Sequence, residues 1–287
     1  MAGSMLFRRM LGNQLERARK RLGLTQREVA ARLHRQYTMV SRAESGTSLI
    51  GGLELETLIS FYELDDEQGG YLLRLRELAA QQPWWSHLGR RPEATEALLM
   101  LEAQAHRIRN FDMHAISGLL QTSAYARAIN ATVDIGQSEE QLDLDVSLRM
   151  QRQRRVWSSI RLDATFILDE GVLRRKPGSS ATQRAQLAML LDPPRGATVL
   201  VFPFNAGVSP ATATFNIFDL ELGTSRSEMP SKGVYVEGSA AQQGVIAEEV
   251  EEVARYELAF ERTKAMALPR EESRKKISEI MRSIRDD

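Results

Sequence analysis

Apolar residues at helical spacing open the chain. Over residues 8–22, Met10, Leu11, Leu15, Ala18 and Leu22 share one face, arginines occupy the others, and Gly23 follows where left-handed backbone ends a helix. Thr25 with Glu28 three residues on is a capping box that starts a second helix, with Val29, Ala30 and Leu33 inward. His34-Arg35 makes the turn. A third helix then runs from about Gln36 to Ser45, ahead of Gly46, with Met39, Val40 and Ala43 inward and Gln36, Tyr37, Thr38, Ser41 and Arg42 outward. Two short helices, a tight turn and a polar outer face form a helix-turn-helix, whose outer side chains suit base edges and phosphates in a major groove.

Leu53, Leu55, Leu58, Ile59 and Phe61 predict a fourth helix, and Tyr71, Leu72, Leu75 and Leu78 a fifth that stops before Pro83. The pattern breaks at Gln81-Gln82-Pro83-Trp84-Trp85, which divides the chain into a helix-turn-helix domain at 8–82 and a second domain at 83–287. The two tryptophans read as a packing anchor or as the aromatic wall of a ligand pocket. Beyond them, residues 93–110 predict an amphipathic helix with Leu98, Leu101, Ala105 and Ile108 inward, and a long helix covers 138–157. Strand-like runs follow at 164–168, 197–204, 214–220 and 234–236, and two helices close the chain. In the last helix Ile277, Ile280, Met281 and Ile284 form a stripe that must be buried or paired, which makes it a candidate dimer face. The fold class is mainly α with α+β: a five-helix N-terminal domain, then an α+β domain with a small antiparallel sheet.

Charge sharpens this picture. The 287 residues balance 38 Lys/Arg against 38 Asp/Glu, yet residues 1–46 hold ten basic and three acidic groups, and residues 47–82 hold two and seven. A basic end on a neutral chain presents a local positive face. Zero cysteines exclude disulfides, thiolate metal sites and cysteine nucleophiles. No apolar run is long enough to span a bilayer and no secretory leader opens the chain, so a cytoplasmic protein is expected.

Catalytic signals are weak. Asp169, Glu170, Glu237 and Arg174 are the charged members of the strongest C-terminal motifs, and paired carboxylates can do acid–base work, but such groups at strand ends more often cap and form salt bridges. His34, His87, His106 and His114 lack metal-ligand spacing, and neither a nucleophile elbow nor a phosphate loop is present. The arginines at 149, 152, 154 and 155 suit an anionic ligand or an internal network with Glu139, Glu140, Asp143 and Asp145. The expectation is no enzyme, no metal and no cofactor.

Leu22-Gly23-Leu24-Thr25-Gln26, Val29-Ala30, Leu33, Val40-Ser41-Arg42 and Glu44-Ser45-Gly46 resemble the phage-repressor (XRE) type of helix-turn-helix regulator. The resemblance implies a phosphate contact from Gln26, base or backbone contacts from Gln36, Tyr37, Thr38, Ser41 and Arg42, and a structural pair between Arg19 and Glu44. His34 stands where that family usually has glycine. The remainder, from about Trp84 to Ile280, resembles the C-terminal domain of the WhiJ-like regulators of actinobacteria. The resemblance rests on Leu101-Glu102-Ala103, Gly118-Leu119-Leu120-Gln121-Thr122 with Tyr125-Ala126-Arg127, Arg149 with Arg152-Gln153, residues 168–175, Phe202-Pro203-Phe204 and residues 234–238. Gly171 departs from that pattern, where a larger residue is usual.

The expected function is a transcriptional regulator that binds double-stranded operator DNA as a homodimer. Its C-terminal domain would take a small partner protein encoded nearby or a small-molecule effector, through Trp84, Trp85, Gln121, Glu170, Arg174 and Glu237. The alternatives are an antitoxin-like protein-binding module with autoregulatory DNA binding, and an enzyme fused to a helix-turn-helix.

Overall fold

The computed structural model describes residues 5–86, 92–133, 136–222, 231–238, 245–247 and 250–286, the backbone alone at 245–247. His87 lies outside the described residues. The chain forms two compact units, Met1–Gln104 with Leu220–Ser231, and Ala105–Asp219 with Lys232–Asp287.

The first unit is helical: α1 (Met5–Arg21), α2 (Gln26–Arg32), α3 (Tyr37–Glu44), α4 (Gly52–Phe61), α5 (Asp66–Ala80) and α6 (Glu93–Gln104). Phe7, Leu11 and Leu15 of α1 are buried together with Val29, Val40, Leu55, Tyr71 and Leu75, one inward position after another along each helix. Thr25 caps α2 through the full capping box, and Asp65 with Gln68 does the same for α5. Gly23 (φ 68°) and His34 (φ 52°) supply the left-handed residues that let the chain turn after α1 and α2. Leu22 and Leu53, read as inward, are exposed instead, Leu53 by 75%. Leu22 lies one residue past the end of α1, and Leu53 sits in the first turn of α4. The unit extends past the break at residues 81–85 to include α6, and Trp85 is buried with 2% exposure.

The second unit is built on a six-stranded sheet: β1 (Ala105–Asp112), β2 (Asp163–Asp169), β3 (Ala197–Phe202), β4 (Phe215–Leu220), β5 (Lys232–Val236) and β6 (Val245–Ala247), in spatial order β3-β2-β1-β4-β5-β6. Its helices are α7 (Ser123–Val133), α8 (Glu139–Trp157), α9 (Glu170–Arg174), α10 (Ser180–Leu191), α11 (Val250–Met266) and α12 (Arg270–Ser283). The α+β class holds, and β4 pairs with β5, and β5 with β6, in the expected antiparallel sense. The other half differs: β1, β2 and β3 are parallel, because the connections between them carry helices, and such crossovers return the chain in the same direction. The helix expected over 93–110 ends at Gln104, and residues 105–112 form β1. Ala105 and Ile108 fit a helical spacing, but Ile108 and Phe111 are buried as part of a strand paired to β2.

Phe111, Ile167, Phe202, Phe215, Ile217 and Val234 form a core on one sheet face with Val253 and Phe260 of α11. Midway along β1, Arg109 donates to Asp219 (2.9 Å) and to Glu257 (2.8 Å), and Lys232 donates to the same Glu257 oxygen (2.7 Å). At its end the Met113 N–H donates to Thr214 Oγ1 (3.1 Å), so β4 runs opposite to β1. Ile277 and Ile280 are buried, with α12 packed on β3 and α10. Those two residues belong to the unit's own core, and Met281 and Ile284 of the stripe are half-buried.

Candidate nucleic-acid interface and effector residues

The outward face of α3 carries the residues expected to read DNA. Gln36, at its N-cap, Tyr37, Thr38 and Arg42 are exposed, Tyr37 by 50%, while Ser41 is half-buried. Val40 and Ala43 on the opposite face are buried and hold the helix to the unit. The helix ends in a tight C-terminal turn, where the Arg42 carbonyl accepts from the Ser48 N–H (3.1 Å) and from the hydroxyls of Ser45 (3.2 Å) and Thr47 (3.1 Å).

Beneath it lies a charge pair. Arg19 donates to Glu44 twice, Nε to Oε1 at 2.7 Å and Nη2 to Oε2 at 2.8 Å, and its Nη1 reaches the Leu24 carbonyl at 2.8 Å. Both side chains are nearly closed to water. Hydrogen bonding to Glu44 raises the Arg19 pKa against the opposing effect of burial. Gln26 joins this pair, its Nε2 donating to Glu44 Oε2 at 2.9 Å. The geometry thus places Gln26 at the junction of α1, α2 and α3, with its amide engaged inside the protein. Gly12, which the sequence did not single out, makes the junction possible. A Cβ there would stand 2.3 Å from the Glu44 carbonyl oxygen and 2.6 Å from that of Ala43, so α1 and α3 touch backbone to backbone.

The six residues expected to bind an effector are not assembled in one unit. Trp84 and Trp85 belong to the first, where their rings meet edge to face with centroids 5.5 Å apart. The other four belong to the second and form two groups. Glu170, at the end of β2, accepts from Arg174 Nε (2.9 Å) and Nη2 (2.6 Å) and from the Phe204 N–H (3.1 Å). Burial raises the Glu170 pKa, but the Arg174 and Phe204 bonds outweigh it, and the net shift is downward. Asp169 caps α9 through the Gly171 N–H (2.8 Å), and a Cβ at Gly171 would stand 2.9 Å from the capping oxygen. The glycine keeps that cap open.

Gln121 and Glu237 lie around the C-terminal end of β1. Gln121 donates to the Ile116 carbonyl (2.6 Å) and accepts from Arg149 (2.6 Å), and Gln153 binds the carbonyls of Gly118 (2.7 Å) and Gln121 (2.8 Å). Arg149 and Arg152 of α8 therefore face the loop that follows β1, with the Arg152 guanidinium packed on Gly118. Of the acids expected to pair with these arginines, Glu139 and Asp143 are joined to Arg127 of α7, and Asp145 accepts from Gln137 and Gln141. Glu237 follows β5, and its N–H donates to the Thr214 carbonyl (3.0 Å). Desolvation raises its pKa against the pull of Arg152, Arg149 and His114.

Sequence reasoning missed Asn110 and Asp112. Both are 1% exposed, and Asn110 Nδ2 donates to Asp112 Oδ1 at 3.1 Å. Burial, then the nearby Glu237 carboxylate, push the Asp112 pKa well above the usual carboxylate range, against hydrogen bonds from Asn110 and the Ser117 N–H. Their alternation along a strand was the available signal, hidden once the segment was read as helix. Among the described residues no three His, Cys, Asp or Glu side chains are grouped to hold a metal ion, and no helix is long and apolar enough to cross a membrane.

Residues 10–68 match a family model described as a helix-turn-helix domain, and residues 95–279 match one described as a domain of unknown function (DUF5753). No curated protein and no solved structure gives a match.

Proposed function

We propose that this chain, which belongs to the DUF5753 family and carries a helix-turn-helix domain ahead of that family's domain, is a homodimeric, cytoplasmic regulator whose second unit binds an effector that sets its affinity for operator DNA. The helix-turn-helix makes it a DNA-binding regulator of transcription; the dimer, the compartment and the effector belong to the proposal. The observation that carries the reading is the outward face of α3, where Gln36, Tyr37, Thr38, Ser41 and Arg42 stand on a helix fixed from behind by Arg19 and Glu44. A rigid helix with a polar outer face is what a groove reader requires. Helix-turn-helix dimers set two such helices roughly 34 Å apart on near-palindromic sites.

The test is a fluorescence-anisotropy titration on duplexes selected by the protein from a random-sequence pool. Arg42→Ala is expected to weaken specific binding by about 1–3 kcal/mol, roughly five- to 150-fold, and to relax the preference at one base position. Unchanged affinity and unchanged preference would remove α3 from the interface.

A further inference from the structure

Asn110 and Asp112 are alternate residues of β1 and share the sheet face opposite to Phe111, which packs toward α11. Asn110 Nδ2 is engaged by Asp112 Oδ1 (3.1 Å), Asn216 Oδ1 (3.1 Å) and the Phe215 carbonyl (3.4 Å). Two buried acceptors, Asn110 Oδ1 and Asp112 Oδ2, then have no hydrogen-bond partner among the described residues. A buried carboxyl with an unused oxygen is costly, and an amide or an apolar residue would serve the fold better.

The position is informative. From β1 the chain crosses to β2 and β3 on one side, then returns to place β4 on the other side of β1. The C-terminal end of β1 thus lies on the seam between the parallel and the antiparallel halves of the sheet. Two kinds of charge meet there. Glu237 stands beside Asp112, and Arg149 and Arg152 cover the loop after β1.

We propose that the end of β1 binds a small zwitterion, an α-amino acid or a short peptide, with its ammonium on Asn110 Oδ1 and Asp112 Oδ2 and its carboxylate toward Arg149 and Arg152. Both orphaned atoms are acceptors, so the ligand group facing them must donate, and the neighbouring carboxylate of Glu237 favours a cationic donor. The arginines supply the matching positive end. This assignment rests on the reading of the second unit as the effector-binding half.

Asp112 faces Asn110 on its own strand, the Ser117 N–H, Tyr125 of α7 and Glu237, itself under the charges of Arg149, Arg152 and His114.

Calorimetry and thermal-shift titration of the full chain with the free amino acids and simple dipeptides test the assignment, with N-acetylated and C-amidated forms as controls. At least one zwitterion is expected to bind. N-acetylation or amidation is expected to weaken it by about tenfold or more. Asp112→Asn is expected to abolish binding while leaving DNA affinity in the absence of ligand intact. No binding by any member of the panel, or binding that survives N-acetylation or Asp112→Asn, overturns the assignment and leaves the orphaned atoms to buried water alone. DNA titrations run alongside separate the two readings, because DNA binding without amino-acid binding removes this site and keeps the regulator.

Discussion

Arg19 and Glu44 are a buried pair whose value lies in being intact. Removing one partner leaves the other charge stranded away from water, and Glu44→Ala is expected to lower the unfolding free energy by about 3–5 kcal/mol in urea titration. Arg19→Lys is expected to be damaging as well, because an ammonium cannot reproduce the two parallel bonds. Asp112 works in the opposite direction. Its folded pKa lies above the unfolded value, so it draws stability away as pH rises from the unfolded pKa toward the folded one. Asp112→Asn is therefore expected to stabilise the protein by about 1 kcal/mol at neutral pH, a gain that fades near pH 4 in thermal melts across pH. The first pair was legible through the resemblance to phage-repressor regulators, which implies it. Asp112 was not, since its character depends on burial and on Glu237, more than a hundred residues further along the chain.

Helices were read well where they carry their own punctuation. Thr25 and Glu28 declare the start of α2 in four residues, and Thr25→Ala is expected to cost about 1 kcal/mol by equilibrium unfolding. Strand direction has no comparable local mark. Punctuated apolar runs announce strands at 164–168 and 197–204, but only the path between them makes the pair parallel. With β1 read as the tail of α6, the first crossover was invisible, and the sheet was assigned the direction of β4 and β5. Close approach between helices was equally silent. Gly12 looks like an ordinary weak helix residue, although its missing Cβ seats α1 on the last carbonyls of α3. Gly12→Ala is expected to destabilise the protein by about 1–3 kcal/mol and to weaken DNA binding with it, because the recognition helix must shift to make room. Anisotropy titration of that variant beside its urea curve measures both effects.

Across the whole molecule, zero net charge conceals a working separation. The basic surplus is confined to the segment that contains α3, while residues 47–82 are acidic and are expected to face away from DNA. If a dimer neutralises about six phosphates, affinity should fall roughly a thousandfold between about 50 and about 200 mM salt, and a flat salt response would refute an electrostatic interface. The sheet order has a consequence during synthesis. Arg19 finds Glu44 after 25 residues, so α1 and α3 can close on each other soon after they emerge. Asn110 must wait 105 residues for Phe215, and β1 stays without its β4 neighbour until then. A chain released early therefore carries a closed Arg19–Glu44 junction and a sheet whose central strand still lacks its neighbour.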